Sequence, residues 1–150
     1  SLRRQRQMCI RDSNKAYSLS VSTSKNRAYL RLIGFWRNAD AVPEYLNDWK
    51  KALDDLKPGF SILTDASDMK TQPQDVKMLH AEAQKLVLAA GLAKVAEIIK
   101  DDITEFQLDS LAQSTNFPKR SFKTAEEAET WLDSLAWSLQ SYKVLELDKY

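Results

Sequence analysis

Few residues in this chain could do chemistry. Among 150 residues there is one histidine, His80, and one cysteine, Cys9. A site with two histidine ligands is therefore impossible, and a thiolate set would have a single member. His80 follows Leu79 and stands four residues after Val76, at the edge of an apolar helical stripe. A general base there competes with a structural histidine, and the position favours the structural role. No G-x-S-x-G elbow, G-x-G-x-x-G turn or P-loop occurs, and Gly34, Gly59 and Gly91 stand alone. Adjacent carboxylates occur at Asp54/Asp55, Asp101/Asp102 and Glu126/Glu127. Neighbouring helical residues do not face one another, so these pairs read as solvated charges at helix ends. The expectation is a non-enzymatic protein with no catalytic residue, no metal and no cofactor.

Asp65, Ser67, Asp68, Thr71, Gln72 and Gln74 differ from these pairs because they follow the short apolar run FSIL. Ligands of α/β sheets sit beyond the carboxyl ends of the strands, which makes this stretch the candidate surface for a partner or ligand. Asx-turn chemistry is the competing role for its aspartates. Thr71 and Gln74 are spaced as a capping box. A phosphate on Thr71 would meet the positive end of the helix dipole, so Thr71 is also the candidate phosphoacceptor. Near the carboxyl end, Trp137, Val144 and Leu147 form an apolar set off the core stripe of the last helix. Such a set suits self-association, a homodimer being the simplest case, or a tail folded back on the core.

The elements that must position these residues follow from periodicity. YSLSVS at 17–22 alternates Tyr17, Leu19 and Val21 with serines, which predicts a strand with one wet face, and AYLRLIGF at 28–35 completes a hairpin. Val42, Tyr45, Leu46, Trp49, Leu53 and Leu56 recur at helical spacing, with Asn38 or Asp40 as cap, until Pro58 and Gly59 stop the helix. FSILTD predicts a buried strand ending at Asp65. A helix from near Pro73 carries Val76, Leu79, Ala83, Leu86 and Val87 inward and ends at Gly91. KVAEII at 94–99 is the next strand, and Asp102 with Glu105 caps a third helix. RSF is a short last strand, after which Thr124 and Glu127 form a capping box for the helix carrying Ala128, Trp131, Leu132, Leu135 and Leu139. The order β-β-α-β-α-β-α-β-α implies right-handed crossovers and a mixed, mainly parallel sheet.

Composition agrees with one ordinary globular domain, at 43% hydrophobic and 29% charged residues with three glycines. Arg3, Arg4, Arg6 and Arg11 against Asp12 give the first thirteen residues +3, so the rest of the chain carries −2 of the formal net +1. That body has no electrostatic footprint for nucleic acid. Residues 1–13, SLRRQRQMCIRDS, lack the apolar run of a secretory signal and resemble translated sequencing-adaptor read-through. They are expected to be a non-native or disordered extension, with the domain at 14–139 and a tail at 140–150. No stretch is apolar enough for stable membrane insertion, and with no cysteine in the body a soluble cytoplasmic location is expected.

The succession of hairpin, helix, GFSILTDAS, TQPQDVKML, GLAKVAEII and the closing F-x-T-x-x-E-A-x-x-W-L resembles the STAS-like (SpoIIAA-like) domains, relatives of anti-sigma-factor antagonists, over Ala16–Leu135. The resemblance implies a regulatory or protein-interaction module whose partner is a protein. In the regulatory members a strand ending in Asp-x-Ser leads to a serine that is phosphorylated at the next helix start. Asp65, Ala66 and Ser67 match the first part, but the helix start has Thr71 as the only nearby hydroxyl. The alternative that the resemblance carries is a carrier of small apolar ligands or lipids, which needs a cavity of about 300 Å³ or more among Leu63, Leu79, Ile98 and Phe106.

Overall fold

A computed structural model describes residues 8–13, 16–70, 72–100, 113 and 116–134. The alternation at 17–22 becomes β2 (Tyr17–Ser22), with Tyr17, Leu19 and Val21 buried; it follows β1 (Met8–Ser13) and turns into β3 (Arg27–Gly34). The chain continues through α1 (Tyr45–Leu53), β4 (Ser61–Met69), α2 (Gln74–Ala89), β5 (Lys94–Ile98) and β6 (Lys119–Phe122), and then α3, described over 125–134. The six strands lie side by side in chain order. β1, β2 and β3 pair antiparallel, whereas β3, β4, β5 and β6 pair parallel. The mixed, mainly parallel sheet expected from the alternation of strands and helices is present.

Residues on one face of a strand recur every second position, and here they sort two cores. Leu19, Val21, Leu30, Leu32, Ile62 and Val95 face α1 and α2, joined by Trp49, Ala52, Val76 and Val87. Leu63, Ala96 and Ile98 face the other way, onto Ala128 and Leu132 of α3. Right-handed crossovers between strands laid down in order place α1 and α2 on the same face, so α3 covers the opposite one.

Several boundaries move from their expected positions. Residues 8–13, expected to lie apart from the domain, form β1 on the edge of β2, with a bulge between Ile10 and Asp12. The helix expected from Val42 starts at Tyr45, because Asn38 caps a separate 3-10 turn at Ala39–Ala41 by accepting from the Ala41 amide at 3.2 Å. α2 begins at Gln74 with Pro73 at its cap position; Thr71, expected to form a capping box with Gln74, lies outside the described residues. The Asp102/Glu105 box and its helix also fall outside them. At α3 the expected cap is present, the Glu127 amide donating to the Thr124 hydroxyl at 3.2 Å. Gly91, at φ +102°, lets the end of α2 pass against Pro58, where a Cβ would lie 2.9 Å from the Pro58 backbone.

Candidate functional site

The largest shift concerns the polar stretch after FSIL. β4 does not end at Asp65; its pairing with β3 continues through a bulge to Gly34 beside Met69. Asp65, Ser67 and Asp68 are therefore strand residues and not loop residues. The physical reason is that β3 runs on to Gly34 and its backbone groups need partners, which β4 supplies after β5 has ended opposite Asp65. The irregular register absorbs the polar residues that look like a turn in sequence.

Within this segment the aspartates have distinct tasks. Asp65 accepts from the Ser67 amide at 3.0 Å and from the Ser67 hydroxyl at 2.5 Å, the local bonding of an Asx turn. Asp68 is half exposed and pairs with Arg31 at 2.5 Å. The hydrogen bond from Arg31, with the nearby positive charges of Lys100 and Lys70, holds the Asp68 carboxyl below its ordinary range. Gln72 is buried and braces the turn: it accepts from the Trp36 amide at 3.0 Å and donates to the carbonyls of Gly34 at 3.1 Å and Lys70 at 2.8 Å. Gln74 opens α2 on the surface, and its neighbour Asp75 accepts from the Ala39 amide at 3.0 Å.

These bonds lay the segment after β3 against the segment entering α2. Phe35, 58% exposed, precedes the residue held by Gln72, and Met78, 61% exposed, lies one turn beyond Gln74. They are the large hydrophobic residues exposed among those described. Phe35 thus follows directly on the end of β3, Met78 stands in the second turn of α2, and the Arg31–Asp68 pair joins β3 to β4 near the same end of the sheet. Phe35 and Met78 were not singled out in the sequence, since Phe35 reads as the last strand residue and Met78 as one of many helix positions. Trp137, Val144 and Leu147 lie outside the described residues.

A second polar cluster sits inside the domain, and the sequence did not announce it. Beneath α1 and α2 is a cavity of about 50 Å³, lined among others by Tyr45, Trp49, Thr64, His80, Gln84 and Glu97. His80 and Gln84 are one helical turn apart on α2, while Thr64 and Glu97 share the strand face of Ile62 and Val95. Glu97 forms an ion pair with Lys119 at 3.4 Å, and both side chains are almost fully buried. His80 packs its ring against Trp36 at 5.1 Å and Tyr45 at 5.8 Å. Burial pushes His80 down to about 4, so it is neutral near pH 7. The Trp49 Nε1 and His80 Nε2 atoms are buried and make no hydrogen bond of normal geometry to a described residue, the Tyr45 hydroxyl lying near the indole.

This cavity is not the one a carrier was expected to need. Leu63 and Ile98 belong to the opposite core under α3, whereas Leu79 packs with the α1 and α2 side, so the strand faces separate them. Phe106 lies outside the described residues. Among the described residues no group of three or more His, Cys, Asp or Glu is placed to hold a metal, and no helix is long and apolar enough to cross a membrane.

A third cluster ties α3 to the sheet. Buried Arg27 donates from Nη1 to Glu129 at 2.7 Å and to Asp133 at 3.0 Å, and from Nε to Ser61 at 2.9 Å. The Tyr29 hydroxyl donates to Glu129 at 2.6 Å, and Lys25 reaches the same carboxylate at 2.8 Å. Burial opposes the Glu129 charge, but the bonds from Lys25 and Tyr29 and the Arg27 charge outweigh it and hold the carboxyl below its ordinary value. The cluster is complete in itself and serves docking.

No known family matches the chain in sequence, and no curated protein matches it. Two solved structures share its fold. One is an uncharacterized protein of the DUF3478 family with a SpoIIAA-like fold from Shewanella loihica, 15% identical, covering 81% of this chain and 97% of that one with a TM-score of 0.59. The other is SiaC of Pseudomonas aeruginosa, 8% identical, covering 74% of this chain and 95% of that one with a TM-score of 0.50. The chain has the SpoIIAA-like fold.

Proposed function

We propose that this chain is a non-catalytic regulatory module that binds a protein partner at the end of the sheet where β3 and β4 finish and α2 begins. The observation that carries the reading is that Phe35 and Met78, the large hydrophobic side chains exposed among the described residues, stand on the segment leaving β3 and the first turns of α2, which Gln72 and Asp75 bond to each other. Interfaces of this kind have an apolar centre with a polar rim, and aromatic and methionine side chains are enriched in them. The resemblance to STAS-like regulatory domains and the SpoIIAA-like fold support the same reading. Asp68 and Gln74 supply the rim, Asp65 with Ser67 and Gln72 shape it, and Thr71 stands between them in sequence as the hydroxyl that could be modified.

The test is a quantitative capture from an extract of the cells that make the protein, using the native chain and a Phe35→Ser, Met78→Ser double variant. Both positions are exposed, so the melting temperature should stay the same. The reading expects a discrete protein bound to the native chain and lost from the double variant. Equal capture by both contradicts it.

A further inference from the structure

The cavity beneath α1 and α2 is built in a way that the fold alone does not require. Six polar side chains, from Tyr45, Trp49, Thr64, His80, Gln84 and Glu97, line a space of about 50 Å³ that is otherwise apolar. A packed core of leucine and valine would close such a space, and burying a polar atom with no partner is costly. Nevertheless Trp49 and His80, 2% and 7% exposed, each bring a polar atom to it that makes no hydrogen bond of normal geometry to a described residue, although the Tyr45 hydroxyl lies near the Trp49 indole. The indole N–H of Trp49 is a donor only, so whatever meets it must accept. His80 Nε2 accepts or donates according to tautomer.

Charge and size narrow the guest. Among the described residues Glu97 is balanced by Lys119 at 3.4 Å and the neutral His80 adds no charge, so the described lining offers an ionic guest no counter-ion. An engineered cavity of about 150 Å³ is what a benzene ring needs. A third of that volume admits no aromatic or acyl group, but it exceeds the roughly 10–15 Å³ that one water requires.

We propose that this cavity is an internal binding site for a small uncharged hydrogen-bonding guest, water or a solute of a few non-hydrogen atoms, held by Trp49 Nε1–H and His80 Nε2. The guest completes the polar core between α1, α2 and the sheet. The site does not rest on the partner surface and stands if that surface fails. It also gives the middle of the domain a role incompatible with carrying lipid.

The experiment uses the full chain, isotope-labelled and dialysed into plain buffer. Magnetisation transfer from water to the Trp49 indole proton, identified by its loss in Trp49→Phe, reports a long-lived internal water. Native mass spectrometry of the same sample reports a retained solute. Either signal supports the site and decides which source fills it; finding neither overturns it. Trp49→Phe keeps the ring and removes the donor, so an occupied site predicts a melting temperature lower by roughly 2–4 °C. An unchanged or raised melting temperature in that variant marks a dry cavity and also overturns the proposal.

Discussion

Acidification should destabilise this domain through His80 over a defined pH window. His80 is the single histidine of the chain, so between about pH 7 and pH 5 the unfolded protein has one side chain that gains a proton at its ordinary value. In the folded protein burial lowers that group from 6.5 to about 4. The folded state therefore resists a proton that the unfolded state accepts. The stability is fully present above pH 6.5 and is lost as the pH falls from there towards 4. A shift of this size corresponds to about 3 kcal/mol over the whole window, of which about 2 kcal/mol is lost between about pH 7.5 and about pH 5. Glu129 and Asp68 are held below their ordinary carboxyl values, so their own losses fall at lower pH. Urea unfolding at a series of pH values measures the effect as a midpoint lower by about 1 M at the acid end, for a slope of about 2 kcal/mol per molar. A His80→Leu variant should be flat over the same range. A native profile that is also flat, or an equal slope in the variant, would refute the burial reasoning.

Three other perturbations probe separate parts of the molecule. Gln72→Ala should cost about 1–3 kcal/mol in urea unfolding, because it strands the buried Trp36 amide and frees the Gly34 and Lys70 carbonyls; a change near zero would mean that the brace is dispensable. Arg27→Met should cost about 2–3 kcal/mol and speed hydrogen exchange in α3 before the rest, since it leaves Glu129 and Asp133 without their buried partner; the estimate stays low because both carboxylates reach solvent. Uniform exchange would contradict that role. Deleting residues 1–13 removes β1, which pairs with β2 alone, and should move the melting temperature by no more than about 3 °C, whereas loss of cooperative unfolding would show that the domain needs its edge strand.

Much of the fold was legible because its signals are local. The alternation of Tyr17, Leu19 and Val21 with serines marks β2, although its serine face is not wet, Ser18 and Ser20 being half-buried and Ser22 buried, and Thr124 with Glu127 marks the start of α3. Where bonding is long-range the sequence misled. Asp65, Ser67 and Asp68 look like a turn, yet β3 holds them as strand, a demand written in residues 27–34 and not in their own. Gln72 has no local signal either, because two of its three partners lie on Gly34 and Trp36. The internal polar site was missed for a related reason. In KVAEI the charge of Glu97 suggests a solvent-facing position, but its parity with Val95 places it inward, where Lys119 balances it from the next strand. Parity was the available clue, since a strand covered on both sides has no wet face for a glutamate.

The proposed docking of a partner at the end of the sheet where β3 and β4 finish can be tested at Met78 itself. The most direct measurement places a photo-activated cross-linking residue at position 78 in one sample and at exposed Thr130 on α3 in another, followed by irradiation in cell extract. Docking at this end predicts one discrete protein adduct from position 78 and none of that mass from position 130. The same adduct from both positions, or an adduct from 130 alone, would contradict it.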